Sequence, residues 1–361
     1  MAEGSLARAR IASTAGLKPL FLSSVPNGRR ANYDAPVPLA VTRIALAAVL
    51  LVFAVPHADA QRPRPVVIGV LSGGSQAGYA SNFAAFRRAL GEQGQVDMKH
   101  VRFEERWAEG RLERLPELAA ELVRLKVDVI VAPGTPAVLA AKQATREIPI
   151  VFPSAGDPVA NTLVESLARP GGNVTGFSNL TEVGPKRLEL LRQALPNLTR
   201  IACLTNQSNP SAPQQTKSMQ DAAHTLKLDF KVFDVRRPDD LEGAFAEIAK
   251  QRFGAVIITA EGTWIDRQPQ LSSLALKYRM PVMYSAGSVQ PGFLLIHGPD
   301  VVEQYRRAAV YVAKILRGTR PADLPVEQPT AFRLVVNLRA AKSLGITIPS
   351  GVLLQADEVI Q

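Results

Sequence analysis

Thiols are almost absent from this chain. Of 361 residues one is a cysteine, Cys203, so no intramolecular disulfide is possible, and its apolar neighbours read as packing rather than nucleophilic chemistry. Histidine is nearly as scarce. His57, His100, His224 and His297 are scattered with no HxxxH or CxxC spacing to set two ligands on one face, so neither metal nor cofactor is expected. The glycine loops GxGxxG and GxxxxGK[ST] and the GxSxG elbow are all missing. His100 and His224 fall away from the strand-end loops described below. Glu104 and Glu105 occupy adjacent strand positions facing opposite ways, so no acid/base pair or nucleophile emerges and no enzyme is expected. Basic blocks are lacking too. The net charge is +10, from 42 Lys and Arg against 32 Asp and Glu, yet no five basic residues run together. Signs alternate over Arg111 to Arg124, as on a solvated face, so no nucleic-acid partner is expected.

What is present belongs to a globular protein: 47% apolar, 20% charged and 6% aromatic residues, with length for two domains. Ile44 to Val55 (IALAAVLLVFAV) is an uncharged apolar run after Arg43, followed by Ala58-Asp59-Ala60 before Gln61. That order predicts a signal peptide cleaved after Ala60, its core shorter than the roughly 20 residues that span a bilayer. Met1 to Thr42 is long and polar for the leading region, which suggests an upstream start codon, and Arg29-Arg30 lacks a twin-arginine setting. No cysteine follows the cleavage site to take a lipid, so a soluble periplasmic protein is expected.

From Val66 onward, apolar runs alternate with small-residue loops and amphipathic helices, predicting α/β architecture with strands covered on both faces. Strands are expected at Val66 to Leu71, Val101 to Glu105, Val127 to Ala132, Ile150 to Pro153 and Asn173 to Phe177. A second series begins at Arg200 to Thr205 and continues through Asp229 to Val235, Ala255 to Thr259, Pro281 to Tyr284 and Phe293 to His297. The helix Pro299 to Leu316 and the segment Gln328 to Leu344 are too much for a tail, and a return to the first domain is their simplest use. The expected division is signal peptide and extension at 1–60, a first lobe at 61–184 completed by 317–361, and a second lobe at 185–316. Several crossovers between two doubly wound lobes make a hinge, and such sheets hold ligands beyond the carboxyl ends of their strands.

The loops at those ends are small and polar. They are Ser72-Gly73-Gly74-Ser75, Gly134-Thr135, and Ser154 to Asp157 in the first series, then Asn206-Gln207-Ser208-Asn209, Glu261 to Trp264, and Tyr284 to Ser288 in the second. Glycines and helix N-termini suit a carboxylate. Asp157 and Glu261 suit an ammonium, and Trp264 and Tyr284 a stacked apolar or aromatic portion, which together describe an amino acid. Serine, threonine and aspartate here equally suit helix capping, and Trp264 equally suits a core.

Five stretches in order carry a resemblance: Arg102 to Val123 (RFEERWAEGRLERLPELAAELV), Pro149 to Val159 (PIVFPSAGDPV), Ser166 to Ser178 (SLARPGGNVTGFS), Lys186 to Asn206 (KRLELLRQALPNLTRIACLTN) and Arg333 to Pro349 (RLVVNLRAAKSLGITIP). With them, the chain from about Pro65 to its end resembles the ABC-transporter substrate-binding family whose better-known members are described as tryptophan/tyrosine transport components. The resemblance implies the type I periplasmic-binding-protein fold, two lobes closing on a small molecule, and delivery to a membrane permease driven by a separate ATPase; a monomer is expected. A protein of this fold that senses its ligand and acts on a receptor or regulator is the alternative. Gln207 in place of a usual proline, Gly94 to His100, and Thr162 in place of a usual glycine depart from the family pattern.

Overall fold

The Val/Ile runs become two sheets in the computed structural model, which describes residues 65–94, 98–179, 183–259, 261–285 and 287–361. The expected signal peptide and its cleavage site lie outside these residues. The first sheet is parallel, in the order β2 (Val101–Trp107), β1 (Val66–Ser72), β3 (Val129–Val131), β4 (Ile150–Ala155), β5 (Val174–Ser178).

Side chains along these strands alternate between two buried layers, as the two-residue repeat of a strand requires. Ile68, Val70, Val129, Val131 and Val151 meet Phe83, Phe86 and Leu90 of helix α1 (Gln76–Glu92). Leu71, Ile130, Ile150 and Phe152 meet Leu118 and Leu122 of α2 (Leu115–Arg124) and Val138 of α3 (Thr135–Ala144). Each large apolar side chain so buried contributes about 1.5–3 kcal/mol.

The second sheet runs β12 (Glu358–Ile360), β11 (Phe332–Asn337), β10 (Leu295–Pro299), β9 (Val282–Tyr284), β8 (Ala255–Ile258), β6 (Arg200–Thr205), β7 (Asp229–Asp234). Helices α4 (Val183–Ala194) and α5 (Ala212–Thr225) cover one face, α6 (Leu241–Lys250) and α7 (Gln268–Lys277) the other. Cys203 is wholly buried in β6, and burial raises its thiol pKa, which leaves it a packing group.

The expected division differs from the observed one in its last third. Helix α8 (Val301–Leu316) returns to the first lobe, as the sequence suggested, so the second lobe does not run to 316 as the expected division had it. Tyr305, Ala308, Ala309, Val312 and Ile315 form a stripe at helical spacing that fills the sheet face beside α1. Residues up to Glu327 stay there: Thr175 Oγ1 donates to Leu324 O at 2.7 Å, and Phe177 pairs with Glu327. The residues from Phe332 onward do not complete the first lobe. β11 joins β10 antiparallel, β12 joins β11, and α9 (Leu338–Leu344) and α10 (Ser350–Leu353) pack beneath them. Apolar alternation in Leu334, Val335 and Val336 marks a strand but not which sheet edge receives it, and the open edge of β10 does. The second sheet is therefore mixed rather than purely parallel.

The chain crosses between lobes after β5, after β10 and after Glu327. Both lobes belong to one compact unit, Pro63–Gln361. Among the described residues no helix is long and apolar enough to cross a membrane.

Candidate functional site

Between the carboxyl ends of the two sheets lies a cavity of about 430 Å³. The first lobe contributes Gly73 after β1, Gly134 and Thr135 after β3, and Ser154, Ala155 and Gly156 at the end of β4. The second contributes Asn209 and Ser211 after β6, Glu261 to Thr263 after β8, and Tyr284 and Ser285 at the end of β9. Loops therefore reach the cavity from both sides.

The lobes touch around it. Ser211 Oγ donates to Thr135 Oγ1 at 2.8 Å, and Gln214 Nε2 donates to Asp157 Oδ2 at 3.1 Å. Two glycines permit this approach. A Cβ on Gly74 would stand 2.6 Å from Gly262 O of the opposite lobe, and one on Gly156 would collide with Ser211 Oγ. Side chains there would wedge the lobes apart.

Seven of the residues singled out by the sequence line the cavity: Gly73, Gly134, Thr135, Ser154, Asn209, Glu261 and Tyr284. The other seven are placed elsewhere. Ser72 is buried, its Oγ accepting from Gly74 N, and Ser75 caps α1 by accepting from Gly78 N at 3.1 Å. Asn206 Oδ1 accepts from Ser208 N at 2.9 Å, and Gln207 N donates to Asp234 Oδ1 at 2.9 Å. Asp157 caps its own turn, its Oδ1 accepting from Val159 N and Ala160 N at 3.0 Å, so this carboxylate is spent on backbone and on Gln214. Trp264 is 0% exposed among Phe245, Leu271 and Phe293, a core residue because burying so large a ring outweighs exposing it.

Glu261 is 5% exposed. Asn209 Nδ2 donates to its Oε2 at 2.9 Å and Thr259 Oγ1 to its Oε1 at 3.3 Å. Burial outweighs these bonds and pushes its carboxyl up to about 7. Tyr79 and Tyr284 stand beside it. Burial pushes the Tyr79 hydroxyl up to about 12 and raises that of Tyr284, with Glu261 adding to both shifts. The Tyr284 ring stacks on Phe293 at 4.8 Å between centroids, which fixes its plane.

Sequence reasoning missed Arg187 and Tyr79 and reached Ser285 only as part of the loop Tyr284 to Ser288; all three are on the cavity wall. Arg187 projects from α4 and donates through Nε to His297 O at 2.7 Å and through Nη2 to Ser285 O at 2.9 Å. Dense surrounding protein lowers its pKa to about 10, although part of its surface stays accessible from the cavity. The available signal was its place on the helix. Arg187 lies three and four residues before buried Leu190 and Leu191 and three after buried Gly184, so it interrupts the apolar stripe.

The chain is 26% identical over 260 residues to a tyrosine-binding protein of Clostridioides difficile (strain R20291), covering 72% of this chain and 75% of that one. Among solved structures, an ABC domain from Streptococcus pneumoniae in complex with L-Trp superposes with a TM-score of 0.75 at 27% identity, covering 82% of this chain and 99% of that one. A conserved domain protein from Vibrio cholerae O1 biovar El Tor superposes with a TM-score of 0.76 at 28% identity, with the same coverage of 82% and 99%. The architecture is that of type I periplasmic binding proteins. The family model for ABC transporter substrate binding proteins matches residues 68–360, and the chain belongs to that family.

Proposed function

We propose that the cleft captures an amino acid with an aromatic side chain for an ABC importer. The family is one of substrate-binding proteins rather than an enzyme class; its members bind small molecules and work with ABC transporter components. The observation that carries the reading is an interlobe cavity whose wall holds a buried carboxyl, Glu261, a guanidinium, Arg187, and the apolar surfaces of Tyr79, Leu112, Tyr284 and Ile296. An ammonium, a carboxylate and a ring each find a complementary surface. The tyrosine-binding relative and the L-Trp complex support the same chemistry.

Capture works by closure. Contacts drawn from both lobes exist together only when the lobes meet, so binding free energy shifts the hinge equilibrium toward the closed form that a permease reads. L-Tryptophan or L-tyrosine at about a hundred times its Kd should stabilise the purified protein by about 2.7 kcal/mol, read as a raised melting temperature. Asp157→Ala should keep that shift, because its carboxylate faces backbone and Gln214. A panel in which sugars raise the melting temperature and aromatic amino acids do not would overturn the reading.

Export follows from the segment Ile44 to Ala60, and the family is typically extracytoplasmic. N-terminal sequencing of the protein recovered from the periplasm should begin at Gln61. A chain retained in the cytoplasm with its start intact would refute the leader assignment.

A further inference from the structure

Arg187 is a charge placed in a cavity wall without an opposite charge beside it. Among the described residues no carboxylate pairs with it. Burial lowers its pKa with no acidic neighbour offsetting that effect, and Glu261 is bonded to Asn209 and Thr259 instead. Its protein partners are two backbone carbonyls, His297 O and Ser285 O, which fix Nε and Nη2. Nη1 has no acceptor among the described residues. Ser285, a residue 1% exposed, is on the same wall, and its enclosed hydroxyl has no partner among the described residues. His297 lies against this corner, and burial and Arg187 lower its pKa to about 4, so it is neutral and brings no second cation.

A guanidinium held along one edge by His297 O and Ser285 O, with Nη1 left without a protein acceptor among the described residues, is a preorganised receptor for a planar anion. We infer that Arg187, with Ser285, anchors a carboxylate of the captured solute, so that the cleft selects acids over their neutral counterparts. The inference rests on the cleft being the capture site. It assigns the carboxylate to α4 and the end of β9 in the second lobe, and leaves Glu261, after β8, for a cationic or hydrogen-bond-donating group. The glycine loops and helix N-termini of the first lobe then have no carboxylate to receive.

The test is calorimetric. L-Tryptophan and L-tyrosine are compared with their amides, and with aromatic carboxylic acids lacking an amino group, on the wild-type protein, Arg187→Lys and Arg187→Gln. The wild type should prefer acid to amide by at least about ten-fold, as a charge-assisted hydrogen bond provides. That preference should shrink in Arg187→Lys and vanish in Arg187→Gln. The unliganded melting temperature of Arg187→Gln should change little, because removing a half-buried charge that has no carboxylate partner offsets the two lost bonds to His297 O and Ser285 O.

Equal wild-type affinity for acid and amide would overturn the inference. So would a panel in which no carboxylate binds, or an Arg187→Gln protein that loses acid and amide alike while melting earlier, since that is how a purely structural arginine behaves. The two readings fail separately. Aromatic acids that bind where amino acids do not would sink the amino-acid reading and keep the anchor. Amino acids bound no better than their amides would do the reverse.

Discussion

Glu261→Gln should weaken binding of L-tyrosine or L-tryptophan by about a hundred-fold and flatten its dependence on pH near neutrality. The carboxyl has a pKa of about 7 in the unliganded protein against an ordinary value of 4.5. Below pH 4.5 it is protonated in the folded and unfolded chain alike and leaves stability unchanged. Between 4.5 and about 7 the unfolded chain ionises while the folded one keeps its proton, so unliganded stability falls through that window, by roughly 3 kcal/mol, and levels off above it. An arriving ammonium reverses the preference and favours the ionised form. Affinity should therefore rise toward pH 7, by up to about ten-fold per pH unit, and then plateau, with a proton released on binding below the plateau. Calorimetry between about pH 5.5 and pH 8 reads both effects. A wild-type affinity flat across that range would mean Glu261 does not face the ammonium.

Trp264→Ala should cost about 3–5 kcal/mol of stability. The ring is fully enclosed, on the short helical turn Gly262–Arg267 that also holds Glu261 in place. Among the described residues its Nε1 finds no acceptor, so the ring is held there by packing. Trp264→Phe should cost less, since it leaves a smaller void and removes the unpaired N–H. Denaturant unfolding measures the loss, and the protein that remains folded should bind ligand within a few-fold of wild type. A Trp264→Phe protein of unchanged stability that no longer binds would place the ring against the ligand instead.

The strands were legible because each is a short Val/Ile run buried on both faces, and the loops at their ends were legible because a doubly wound sheet offers one edge to a ligand. Those rules brought Gly73, Gly134, Thr135, Ser154, Asn209, Glu261 and Tyr284 to the cavity wall. They say nothing of which way a side chain turns from a loop. Asp157, beside Pro158, turned back to cap its own turn, and Trp264 turned inward. Arg187 escaped for a different reason: it stands on a helix, and in the run KRLELLRQ a cation looks like solvent-facing charge unless its phase against the leucines is followed. The destination of the last segment was illegible because a strand pattern does not name its partner. Only the exposed edge of β10 decided it.

The three crossings also order the folding of the molecule. Phe83, Phe86 and Phe177 of the first lobe have no finished core until Tyr305, Val312 and Leu324 arrive, more than a hundred residues later. A chain emerging from its amino end holds its first sheet open on one face while most of the second is made. Contacts so distant in sequence make closure of that core slow. This delay keeps the first lobe unfinished until Val301 to Glu327 have been made.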